Sequence, residues 1–242
     1  MNYQWNWRVF LEQSPNGGGA YGYLLAVGLT NTVAATLLIF VLALTLGTAV
    51  GVLRTHPSRK AQAAGRIYVE VFRNIPLIVQ LFIWYFVLPE LLPKAPGEWV
   101  KQWEAAPFFT VVIGIGCYMA ARVGEQLRSG IQALARGQQL AAAALGMTLS
   151  QSYRYVLLPR AFRITWPMLT TDAMGTVKAT SIGLTIGFVE LTAQAHSMQE
   201  FSFRVFEAFL AALTIYVILN FVIVTVMRRF ERRLELPGFG GK

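Results

Sequence analysis

Residues 33–53 read VAATLLIFVLALTLGTAVGVL, 21 consecutive positions without a charge. The hydrocarbon core of a bilayer is roughly 30 Å thick and takes about 20 mostly apolar residues wound as a helix, so this run is long enough to cross it. The rest of the chain agrees. Of 242 residues, 55% are hydrophobic and 14% charged, with a mean hydropathy of +0.49; an ordinary soluble domain has about a quarter of its residues charged. This composition excludes a disordered chain and implies an all-α, integral membrane helical bundle.

Four more runs complete a five-span pattern. Residues 75–92 carry one acid, Glu90, near their end, while 105–121 and 208–227 are uncharged. The remaining run, 164–191, contains Asp172, Lys178 and Glu190 among many Thr and Gly, and is hydropathically weak. Base counting supports keeping it. Arg54, Arg59, Lys60, Arg66 and Arg73 follow span one; Arg122, Arg128, Arg136, Arg154, Arg160 and Arg163 follow span three; Arg228, Arg229, Arg232, Arg233 and Lys242 follow span five. Only Arg8, Lys94, Lys101 and Arg204 fall on the opposite side. Cytoplasmic loops concentrate Lys and Arg, so five spans place the N-terminus outside and the C-terminus inside. The net charge of +9 is thereby read as topology rather than nucleic-acid binding, for which no basic stripe with interleaved aromatics is present.

The ends and the external loop carry aromatics. Trp5, Trp7 and Phe10 precede a flexible Gly17-Gly18-Gly19 and read as an interfacial segment, with a frayed tail as the alternative. Pro89, Pro93 and Pro96 with Trp99 and Trp103 read as a compact cap after span two. No basic start followed by an apolar core suggests a cleaved signal, so the first span is expected to act as the insertion signal.

Few residues offer chemistry. Cys117 is alone within an apolar run, and His56 and His196 fall on opposite sides of the membrane, so no catalytic set and no metal site is expected. No Gly-x-x-x-x-Gly-Lys-Ser/Thr occurs, so ATP chemistry belongs to another chain. In span four, Thr171, Gly175, Ala179, Gly183 and Gly187 recur every four residues, a ridge that would let another helix approach closely. Lys178 lies between ridge members and is expected to add positive potential along an anion's path or to be paired. Arg122 and Glu125, three apart at the inner end of span three, read as an interfacial pair, or Arg122 as a bidentate clamp for a substrate carboxylate.

The long stretch from Arg122 to Arg163 is too long for a turn and too patterned for a linker. It contains an alanine run, Gly146 as a natural C-terminal stop, a helix restart over residues 149–156 and a stop at Pro159. Leu140, Ala143, Ala144 and Met147 would offer a small apolar knob to a partner groove, or the helix would lie on lipid.

Ala141-Ala142, Leu145-Gly146 and Leu158-Pro159 resemble the EAA loop of type I ABC importer permeases. Phe72-Arg73-Asn74-Ile75-Pro76-Leu77-Ile78-Val79-Gln80, Lys178-Ala179-Thr180-Ser181 and Val189-Glu190-Leu191 resemble stretches of the polar amino acid members of that family. Phe82-Ile83-Trp84-Tyr85, Pro89-Glu90-Leu91-Leu92-Pro93, Ala120-Ala121-Arg122-Val123 and the ending Leu236-Pro237-Gly238 are similar to its glutamate/aspartate branch. The resemblance implies a non-catalytic translocation subunit in the bacterial inner membrane, with a membrane-spanning domain over residues 24–230, an N-terminal segment 1–23 and a cytoplasmic tail 231–242. It implies a coupling loop over 137–159, with Leu140, Ala141, Ala142, Ala143, Leu145, Gly146, Leu158 and Pro159 meeting an ABC ATPase dimer that holds ATP and magnesium. Leu140 occupies the motif's acid position and no carboxylate lies between Gly137 and Pro159, so the implied docking is apolar. The other implied partners are a periplasmic amino acid binding protein, a second homologous permease or a second copy, and the bilayer, with no cofactor on this chain. Arg122, Glu125, Lys178 and Ser181 are the candidate substrate path, and an arginine at 122 suits an acidic amino acid. An ion-coupled secondary transporter is the other class considered, although no internal repeat is visible.

Overall fold

The computed structural model describes residues 3–134, 138, 142 and 144–234. Among these the chain is helical, with a single isolated bridge between Gln13 and Ala20. The α-helices are α1 (Tyr21–Thr55), α2 (Arg59–Asn74), α3 (Leu77–Phe82), α4 (Leu88–Leu91), α5 (Lys94–Gln102), α6 (Ala106–Ala133), α7 (Leu149–Ser152), α8 (Leu158–Thr180), α9 (Leu191–Ser202) and α10 (Val205–Leu234). By length and apolarity α1, α6 and residues 205–233 of α10 can each cross a membrane, and the bent pair of α2 with Leu77–Leu91 makes a fourth if it counts as one span.

The expected fourth span is the exception. Helix α8 carries Arg160, Arg163, Asp172 and Lys178 and stops at Thr180, short of the expected Leu191. A 3-10 turn, Ser181–Ile186, follows, and Gly187 closes it at φ +83°. Hydroxyl bonds accompany the change: those of Thr180, Ser181 and Thr185 each donate to the carbonyl three residues back, at 2.7 Å. Such local bonds compete with the α-helical ladder. The four-residue ridge assumed one unbroken helix, so Gly183 and Gly187 do not continue a face with Thr171.

Two compact units share the chain. The first comprises residues 1–38, 78–115 and 175–222. Its core gathers Val9, Tyr21, Leu25, Leu191, Ala195, Met198, Ala208 and Ala212. Gly28 lets α1 close on the chain before α9, since a Cβ there would lie 2.9 Å from the Glu190 carbonyl oxygen. The three glycines taken as flexible form a tight reversal instead, with φ of +78°, +84° and +124°, closed by the Ser14 N–H donating to Gly19 O at 3.0 Å. Only glycine adopts such angles cheaply.

The second unit comprises residues 39–77, 116–174 and 223–242. Here α1 and α6 approach closely through small residues. A Cβ on Gly47 would sit 2.7 Å from Val123 Cβ, one on Gly51 2.9 Å from Leu127 Cβ, and one on Gly124 2.7 Å from Val50 Cγ1. Gly47-x-x-x-Gly51 is therefore a close-packing ridge in the first span, one that the sequence expectations did not name; in the expected fourth span Gly183 is also tight, a Cβ there lying 2.7 Å from Val111 Cγ2. Gly130 does the same for α6 against α8, 2.8 Å from Thr165 Cγ2.

Candidate functional site

Within the expected loop, the bend and helix restart over residues 144–159 are built from local rules. Leu140, Ala141 and Ala143 lie outside the described residues, whereas Ala142 is helical and buried. The Met147 N–H donates to Ala142 O at 3.1 Å and Gly146 takes φ +74°. This is the left-handed helix stop expected of Gly146, in its Schellman form. A capping box starts the next helix: the Gln151 N–H donates to Thr148 Oγ1 at 3.3 Å and the Thr148 N–H to Gln151 Oε1 at 2.8 Å. Leu145 is 77% exposed at the bend, with Leu149 and Tyr155 also exposed.

Pro159 does not stop the helix. A π turn, Tyr153–Leu157, precedes it, in which the Leu158 N–H donates to Tyr153 O five residues back. Proline cannot donate to the carbonyl four residues earlier, and its ring crowds that carbonyl. The wider turn absorbs both problems, and α8 runs on through Pro159 and Pro167. The same device recurs in the first unit, where the π turn Ile83–Val87 precedes Leu88-Pro89. In the second unit the buried Tyr153 places its hydroxyl 3.0 Å from Thr55 Oγ1, fastening the turn to the end of α1. Nothing in the sequence marked that pair.

Of the candidate path residues, Arg122 and Glu125 do not bond each other. Arg122 reaches from α6 to Asp172 on α8, its Nη2 and Nε donating to Oδ1 at 2.8 and 3.0 Å. Gln126 Nε2 donates to Oδ2 at 2.7 Å. Asp172 is 2% exposed, against 42% for the Arg122 side chain. Glu125 instead receives Arg128, three residues on, and Arg54 of α1 at 3.2 Å. A buried carboxylate without a partner is costly, so Asp172 claims the nearest guanidinium on a facing helix and overrides the i,i+3 preference.

Lys178 and Ser181 belong to the first unit. Lys178 is exposed near the end of α8 and makes no ion pair with a described residue, while the Ser181 hydroxyl bonds the Lys178 carbonyl. Nearby, Glu190 is fully buried and caps α9, accepting from Ala193 N at 2.8 Å, Thr192 N at 2.9 Å and the Tyr216 hydroxyl at 2.7 Å. The Glu-Leu position of the resemblance is thus a helix cap in this fold.

Long apolar helices, packed through glycines and tied by buried carboxylates, define a polytopic membrane protein of the helical-bundle class. The family model described as binding-protein-dependent transport system inner membrane component matches residues 42–236, and the chain belongs to that family. It is therefore an inner-membrane component of a transport system. It is 44% identical over the whole of both chains to the glutamate/aspartate import permease protein GltJ of Escherichia coli (strain K12). It is 31% identical to the glutamine transport system permease protein GlnP of the same organism, over 83% of this chain and 90% of that one. Among solved structures, a crystal structure of an amino acid ABC transporter with histidines is similar at a TM-score of 0.73 and 30% identity, over 88% of this chain and 95% of that one. An inward-facing structure of the MetNI methionine ABC transporter shares the fold, with a TM-score of 0.75 at 22% identity, over 88% and 97% of the two chains.

Proposed function

We propose that this chain is the translocation subunit of a binding-protein-dependent ABC importer for acidic amino acids, glutamate or aspartate. The observation that carries this reading is the end-to-end 44% identity to a glutamate/aspartate import permease. The N-terminus faces the periplasm, where a binding protein delivers substrate, and the C-terminus faces the cytoplasm. A second homologous permease, or a second copy, completes the path. ATP and magnesium are held by a separate ATPase dimer, and this chain does no hydrolysis.

Residues 137–159 transmit the ATPase motion. A helix stopped at Gly146, restarted at Thr148 and continued into α8 through the π turn supports a lever, and the exposed Leu145 and Leu149 support apolar docking. In the first unit Lys178, exposed and in no ion pair with a described residue, supplies positive charge to an anionic substrate; in the second, Arg122 offers the exposed part of its guanidinium to a substrate carboxylate while Asp172 and Gln126 hold the rest of the cluster. The test is uptake of labelled amino acids into cells that lack their own acidic amino acid importers and express this chain with its binding protein and ATPase. Glutamate or aspartate should accumulate well above glutamine, histidine and methionine. Preference for a neutral or basic amino acid overturns the acidic assignment while leaving the family intact.

A further inference from the structure

Glu207, in the first turn of α10, is fully buried and directs both carboxylate oxygens at the far end of the chain. Oε2 accepts the Tyr3 hydroxyl, and Oε1 accepts the Asn6 N–H at 2.7 Å. One turn earlier, Arg204 Nη1 donates to Gln4 O at 2.8 Å. Val9 is fully buried in the core of this unit, and the Gly17-Gly18-Gly19 reversal leads the chain into α1. Residues 3–20 are therefore a docked element, not a frayed end.

This element carries an aromatic row. Tyr3 packs edge-on against Phe206 at 4.7 Å and Trp5 at 5.1 Å, and Trp5 stacks on Trp7 at 5.4 Å with their planes 3° apart. Trp5 and Trp7 are about half exposed, Leu11 is 80% exposed, and Arg8 stands beside them. Through Phe206 the row continues into the exposed apolar side of α10 at Leu213, Val217 and Phe221. The membrane-length window of that helix is 6% buried. Residues 208–227 of that helix are uncharged and little covered by their own chain, so acyl chains are their natural solvent. Tryptophan, with an apolar ring and a polar N–H, concentrates where acyl chains meet headgroups, and arginine beside it meets lipid phosphate.

We infer that residues 3–20 form an interfacial clamp seated on phospholipid, with Trp5, Trp7 and Leu11 at the headgroup–acyl boundary, and that Glu207 and Arg204 latch the clamp to α10. The clamp thereby fixes the level at which α10 sits in the bilayer.

The assembled transporter, carrying Cys117→Ala and a nitroxide on Leu11→Cys, is placed in nanodiscs of equimolar phosphatidylcholine and phosphatidylglycerol. Collision rates are then read with dissolved oxygen and with a water-soluble nickel chelate. The label should meet oxygen more than nickel, and Glu207→Ala, or the milder Tyr3→Phe, should shift the ratio toward nickel and raise label mobility. A label as open to nickel as an aqueous loop overturns the proposal, as does one shielded from both reagents, which would mean that a protein covers the face. Without any label, brominated acyl chains should quench the parent's tryptophan emission more than that of Trp5→Phe/Trp7→Phe. Equal fractional quenching also overturns it.

Discussion

Arg122 and Asp172 show how one contact can confound a functional test. Removing the partner of a buried charge costs about 3–5 kcal/mol, so Arg122→Ala should lower the thermal unfolding temperature of the purified transporter sharply. Arg122→Ala/Asp172→Asn replaces the buried carboxylate that has lost its cation by a neutral amide and should recover most of that loss. Uptake by the double variant then separates the roles: a stable transporter that fails to import glutamate supports the clamp, while restored import assigns Arg122 to holding α6 on α8. The residue types were legible in the sequence, but the pairing was not, because Asp172 lies 50 positions away on another helix. Glu125, expected opposite Arg122, was likewise decided by Arg54 arriving from α1.

At the scale of elements, glycine acts in two physically different ways. Gly146 has open space where a Cβ would go but a left-handed backbone at φ +74°. A β-carbon in that conformation costs about 1–2 kcal/mol, and asparagine tolerates it best. Gly146→Asn should therefore retain transport, while Gly146→Pro, locked at the wrong φ, should leave ATP hydrolysis running without uptake in reconstituted vesicles. Normal uptake by the proline variant would remove the coupling role. Gly47 is the reverse case: it sits within an ordinary helix but has Val123 against it. Overpacking such a contact costs about 1–3 kcal/mol, so Gly47→Leu should lower the unfolding temperature, and Gly47→Ala should lower it less. Gly146 was readable as a stop because its role is local. Gly47 carried the same Gly-x-x-x-Gly signal as any small-residue ridge, and only packing showed that α6 lies against it. The Leu158-Pro159 step misled for a related reason: proline ends an α-helix by default, but a π turn immediately before it lets the helix continue.

For the whole molecule, the decisive question is what drives transport. Reconstituted with its binding protein and ATPase, the chain should accumulate substrate on ATP and accumulate none on a proton or sodium gradient alone; gradient-driven uptake would revive the secondary-transporter alternative. The sequence by itself determined the class: apolar runs too long and too uncharged for water, bases gathered into a few loops, and a helix-stop-helix signal at Gly146. These are properties of composition and of short windows, where hydration and backbone preference act residue by residue. Tertiary structure decided the rest. It ended α8 at Thr180, made the three N-terminal glycines a docked reversal, set Gly47 and Gly51 of the first span close against α6, and gave Asp172 to Arg122 and Glu207 to Tyr3. The physical reason is that a carboxylate removed from water takes whichever donor the packed helices bring within reach, and no spacing along the chain encodes which helices those are.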